Sequence, residues 1–193
     1  MLPFFVYAEL NLYISAMCIC MLNNKDELEI FKASERMEFY KVLAKGNDGK
    51  FSTPWREEPV RLGRWYREYE EKYTYYRKYE VKKPGSIFYH ETFADKWLYG
   101  KGLSIVPYVG EGVIHLFVNK EDAEEFALNR PCACDGELVV VKAIVPKGTR
   151  YIKGIYFQDD HAYESVGVKC VKYRDLNDEG WFKNVLKKFK KQK

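Results

Sequence analysis

The chain has 193 residues, 47% hydrophobic and 31% charged, a composition that excludes intrinsic disorder and collagen-like or low-complexity architecture. At this length one domain buries roughly 70% of the surface its unfolded chain exposes, so no disulfide or metal staple is required. The formal charge of +4 comes from 32 basic and 28 acidic side chains, but residues 181–193 hold six lysines and no acid. The rest, 26 basic against 28 acidic, balances at −2, which excludes a uniformly basic nucleic-acid-binding body.

Residues 2–22 are apolar except for Glu9, Asn11 and Ser15. Their length is near that of a bilayer-spanning helix, but no Lys or Arg precedes them and Glu9 would sit inside the bilayer at a cost of about 2.5 kcal/mol or more. A core-packed helix or strand is the expectation, with a membrane tether as its rival. From Asp26 to Met37 apolar residues recur at near-helical spacing, which predicts a short amphipathic helix. Phe39 to Ala44 reads as a strand closed by the turn Gly46-Asn47-Asp48-Gly49, after which Lys50-Phe51 resumes as a hairpin.

Between Arg61 and Lys83 the aromatics Trp65, Tyr66, Tyr69, Tyr73, Tyr75, Tyr76 and Tyr79 interleave with basic residues. On a helix, Leu62, Trp65, Tyr66, Tyr69, Tyr73 and Tyr76 make one stripe. Packed inward, the stripe is core. Facing outward beside Arg64, Arg67, Arg77 and Lys78, it is a stacking platform for single-stranded nucleic acid. Glu68, Glu70, Glu71 and Glu80 would repel phosphate and favour the first arrangement.

Phe93, Ala94, Trp97 and Leu98 fall on one helical face, followed by a glycine-punctuated run around a short strand, Ser104 to Val109. That run has no phosphate-loop motif. Val113 to Val118 reads as a strand, Asn119 as a helix cap, and Lys120 to Leu128 as a helix with acids in its first turn. Leu138 to Val145 has the β-branched run of a central strand. Arg150 to Phe157 and Ser165 to Tyr173 read as further strands, and Trp181 to Phe189 as a basic amphipathic end. Together these predict an α+β fold: one compact domain, 39–180, with a largely antiparallel sheet and flanking helices, preceded by an apolar segment, 1–38, and followed by a basic tail, 181–193.

Chemistry-bearing residues are few. The five cysteines, with Cys18-x-Cys20 and Cys132-x-Cys134, form no disulfide framework and point to a reducing, cytoplasmic setting. A zinc set of Cys132, Cys134, His115 and His161 is conceivable, but the pairs lack C-x2-C spacing, so free thiols acting as small hydrophobes are the expectation. His115 alternates with apolar residues in its strand, and His161 reads as a solvated loop. No hydrolase, zinc-protease or kinase signature is present.

Two resemblances follow from short motifs. Phe39-Tyr40-Lys41-Val42-Leu43, Gly49-Lys50-Phe51, Leu62-Gly63-Arg64-Trp65-Tyr66, Gly112-Val113-Ile114-His115-Leu116-Phe117 with Asn119-Lys120-Glu121-Asp122-Ala123, and Tyr163-Glu164-Ser165 resemble a loose group of small phage, prophage and gut-bacterial proteins. That group brings no biochemical activity with it. The order of a strand, the helix at Asp122 to Ala127, Val139 to Gly148 and then Tyr163-Glu164 is similar to the second half of ADP-ribosyltransferase domains. That resemblance implies NAD chemistry with Glu164 orienting the nicotinamide ribose and stabilising its oxocarbenium-like transition state. The Arg or His that such domains place on their first strand has no counterpart in Tyr40 to Lys45, and no Ser-Thr-Ser triplet occurs.

The reading that results is a cofactor-free, non-enzymatic accessory or binding module for a host or phage protein or single-stranded nucleic acid. Its expected contact residues are Arg64, Trp65, Tyr66, Tyr69 and Arg77. The catalytic alternative rests on Glu164 and His115.

Overall fold

The structure is a computed structural model that describes residues 19–22, 28–54, 57–68, 76–81, 83, 92–109, 112–129, 136–158 and 160–176. Within them run thirteen strands: β1 Ile19–Cys20, β2 Phe31–Lys32, β3 Met37–Gly46, β4 Phe51–Ser52, β5 Pro59–Val60, β6 Trp65–Arg67, β7 Tyr76–Glu80, β8 Ile105–Val109, β9 Ile114–Phe117, β10 Gly136–Val145, β11 Arg150–Gln158, β12 His161–Val168 and β13 Cys170–Arg174. Two helices join them, α1 Phe93–Gly100 and α2 Lys120–Leu128. The strands form one sheet in the order β6-β13-β10-β3-β9-β12-β11-β1-β8-β7, with β2, β4 and β5 attached at its sides. Every pairing among the described residues is antiparallel, so the architecture is a mostly antiparallel sheet with two helices, richer in strand than an even α+β mixture.

The centre is the ten-position ladder of β3 against β10, from Gly136↔Gly46 to Val145↔Met37. Both strands alternate or run on in β-branched and aromatic residues, which fit a pleated surface buried on both sides. One face of this centre carries Phe39, Leu43, Val141, Ala143 and Val145, which cluster with Val171, Tyr173, Leu116 and Val166. Neither helix contributes to that cluster; Phe31 of β2, Phe51 of β4 and Val60 of β5 help to close it. The opposite face carries Val42, Phe117, Tyr156 and Tyr163 and is capped by Ala123 and Phe126 of α2. Helix α1 seats Ala94 and Leu98 against Val106, Ile155 and Phe157. Its start is fixed by Thr92, whose Oγ1 accepts from the Asp95 amide at 3.1 Å while the Asp95 carboxylate accepts from the Thr92 amide, a reciprocal cap.

Helix α2 has the expected bounds, although the Asn119 side chain donates to Asp122 (3.2 Å) and makes no bond to the helix amides. Two helical expectations are overturned. Asp26 to Met37 is not a helix where it is described: Phe31–Lys32 pairs with β11, and Met37 opens β3. Nor are the described parts of Arg61 to Lys83, 61–68 and 76–81, where β6 and β7 are strands. Gly63, at a φ of 85°, sits in a turn and donates its amide to the Tyr173 carbonyl, which launches Trp65–Arg67 as a strand along β13. Trp65 and Tyr66 there alternate with period 2, which the β propensity of aromatics allows equally well. The expected strand Ser165 to Tyr173 is divided at Lys169 into β12 and β13.

Of the N-terminal apolar segment, Ile19 and Cys20 form β1 between β11 and β8, and Ile19, Cys20 and Met21 are almost fully buried. That is core packing, as expected for this part of the segment; residues 1–18 lie outside the described residues. Strand β1 reaches its position because Gly154 faces it: a Cβ there would lie 2.2 Å from the Cys20 carbonyl oxygen. No helix among the described residues is long and apolar enough to cross a membrane.

Candidate functional site: a basic sheet face around Trp65

Residues directly opposite in an antiparallel pair share a face. The register Trp65↔Lys172, Arg67↔Cys170, Ile144↔Lys172 and Lys142↔Arg174 therefore puts Trp65, Arg67, Lys172, Arg174 and Lys142 on one face of three neighbouring strands. Trp65 is 47% exposed, a large share for an indole. The Lys172 Nζ lies 5.5 Å from its ring centroid, within cation–π range. A single acid lies opposite Ile144 on this face, Glu38, which pairs with Lys142 (3.4 Å) and Arg36 (2.8 Å). Arg64, just before β6, is exposed. Strand β13 ends at Arg174, so the six-lysine segment 181–193 begins seven residues beyond this face.

The five expected contact residues part company. Trp65 stands at this face, and Arg64 is exposed immediately before it in the chain. Tyr66 points to the other side, its ring 5.3 Å from Tyr173 and its hydroxyl accepting from the Arg61 amide at 2.6 Å. It anchors the edge strand to the core and is not a surface contact. Arg77 lies on β7, at the opposite end of the sheet from β6. Tyr69 lies outside the described residues. Lys142, Lys172 and Arg174 were missed, although their alternation with Val171, Tyr173, Ala143 and Val145 was a readable period-2 signal.

Glu164 and His115 do not converge. His115 pairs with Gly167 of β12, three residues from Glu164, and an odd offset along a strand puts the two side chains on opposite faces. Glu164 borders a cleft of about 400 Å³ whose floor is Phe31, Met37, Phe39, Ile155 and Val166, with Glu29 and Lys153 also lining it. His115 borders a cavity of about 30 Å³ with Lys41, Phe126, Tyr156 and Ser165. This cavity lies where β3 and β9, which pair at Tyr40↔Phe117 alone, separate. The Lys41 ammonium bridges the gap by donating to the His115 carbonyl at 2.9 Å, and burial pushes its pKa down from 10.5 to about 8.

Cys132 and Cys134 lie outside the described residues. Among the described residues no group of three His, Cys, Asp or Glu side chains could hold a metal. The two histidines are well separated: His115 lies opposite Gly167, and His161 is six residues further back on the same strand, about 20 Å away. His161 is also no loop residue: it opens β12, lies 3.1 Å from Glu125 and stacks on Tyr163. Comparison with protein-family models, with curated proteins and with solved structures finds no match to this chain.

Proposed function

We propose that this chain is a binding module for single-stranded nucleic acid and that it engages its ligand on the face built by β6, β13 and β10. The observation that carries the reading is an exposed tryptophan surrounded by four cationic side chains on three adjacent strands. A base stacks on an indole face regardless of its identity, and the flanking guanidinium and ammonium groups meet the phosphates. The slight negative balance of the body does not oppose this, because screening confines each charge to about 8–10 Å and the local sign on this face is positive.

A transferase centred on Glu164 is served less well. Among the described residues, the cleft beside Glu164 is lined by two carboxylates and one ammonium, an unfavourable balance for a dinucleotide's pyrophosphate. The test is Trp65→Ala in the full chain. Removing one stacking platform costs about 1–3 kcal/mol, so affinity for a single-stranded oligonucleotide falls roughly 5- to 150-fold while the unfolding midpoint stays put. Unchanged affinity in a folded variant refutes the proposal.

A further inference from the structure

The cleft beside Glu164 lies on the other side of the sheet from Trp65. We infer that it is a second, independent binding site whose ligand is an apolar organic cation. Its volume of about 400 Å³ is in the range of small-molecule sites, which combine an apolar lining with a few placed polar groups. Here the floor is aromatic and aliphatic, and among the described residues the ionisable side chains that line it are Glu29, Lys153 and Glu164.

Their arrangement sets the sign. Glu164 lies opposite Ile155 in the β11–β12 ladder, with Val166 next along its own face, so its same-face neighbours there are hydrocarbon. Among the described residues neither Glu164 nor Glu29 takes part in an ion pair. Lys153, diagonal to Glu164, places its Nζ 5.2 Å from the Phe31 centroid and 5.8 Å from that of Tyr151, at the β2 side of the cleft. Two carboxylates thus border an apolar floor with one ammonium held over rings. A ligand with a hydrocarbon or aromatic body and one ammonium group matches both features: the body covers the floor, and the charge meets a carboxylate in a charge-assisted hydrogen bond.

Three probes of similar size separate charge from greasiness: 2-phenylethylammonium, 2-phenylethanol and 3-phenylpropanoate, titrated into the full chain by calorimetry and thermal shift. The cation binds tightest, the alcohol more weakly and the carboxylate not measurably. Glu164 is exposed, so Glu164→Gln folds, and it weakens the cation roughly tenfold, as expected for loss of one charge-assisted bond, while leaving the alcohol unchanged. Equal binding of all three probes, binding of none, or a cation affinity indifferent to Glu164→Gln overturns the inference. Oligonucleotide binding by the same Glu164→Gln protein is unaffected in either case, so the two sites are judged separately.

Discussion

Lys41 sits in the gap between β3 and β9, and replacing it tests the packing there. Its pKa falls from 10.5 to about 8 because burial disfavours the ammonium. Below pH 8 the group is charged in both folded and unfolded chains and the full penalty of about 3 kcal/mol applies. Between pH 8 and 10.5 the unfolded chain binds more protons than the folded one, so stability rises with pH. Above 10.5 both forms are neutral and the penalty is gone. Between pH 7 and 10 this one group therefore returns about 2–3 kcal/mol. Lys41→Met abolishes that slope. Compared with the neutral amine, Met loses one hydrogen bond to the His115 carbonyl, about 1 kcal/mol, so at pH 7, where the charge penalty is also removed, the net gain is about 2 kcal/mol. Tyr173, whose pKa burial raises, keeps its proton when the unfolded chain loses it, so stability falls above pH 10 in both proteins and cancels in the difference. Urea unfolding of both proteins at pH 7, 8.5 and 10 is the assay. Parallel pH profiles would refute the reasoning, as would a Lys41→Met protein less stable than its parent at pH 7.

Gly154→Ala drives a methyl into the Cys20 carbonyl, 2.2 Å from the ideal Cβ position; since backbone must move, it destabilises by about 3 kcal/mol, read by chemical denaturation. Asp95 is fully buried, accepts from the Tyr79 hydroxyl at 2.5 Å and from Thr92, and caps α1. Asp95→Ala strands those donors and lowers stability by about 2–3 kcal/mol, while Asp95→Asn loses less. Millimolar NAD leaves the unfolding midpoint unchanged, because a ligand stabilises only the state it binds; a clear rise would restore the transferase reading of Glu164.

The parts of the fold legible in the sequence are those where one period dominates. Gly136–Val145 carries a β-branched run that marks a strand, Phe39 to Ala44 is closed by a glycine turn, and Asn119 with its acidic first turn marks α2 to the residue. The segment after Arg61 defeats the same approach because its aromatics are dense enough to satisfy both the 3.6 and the 2.0 period. The tie is broken by a long-range bond from the Gly63 amide to Tyr173, which local spacing does not contain. The candidate site was half legible for the same reason. Trp65 and Arg64 stand out in the sequence, but Lys142, Lys172 and Arg174 join Trp65 only through strand neighbours more than seventy residues away in the chain. Glu164 and His115 were separable only once the register of β9 on β12 was known.

The central claim is most directly tested by fluorescence-anisotropy titration of the full chain with a labelled single-stranded oligonucleotide across about 50 to 200 mM salt. If Arg67, Lys142, Lys172 and Arg174 each meet a phosphate, log affinity against log salt has a slope near −3 or steeper, a loss of about 50-fold over that range. Lys172→Glu with Arg174→Glu then flattens the slope by about 1.4. No binding at the lower salt, or a slope indifferent to these two substitutions, contradicts the account and moves any nucleic-acid contact away from the Trp65 face.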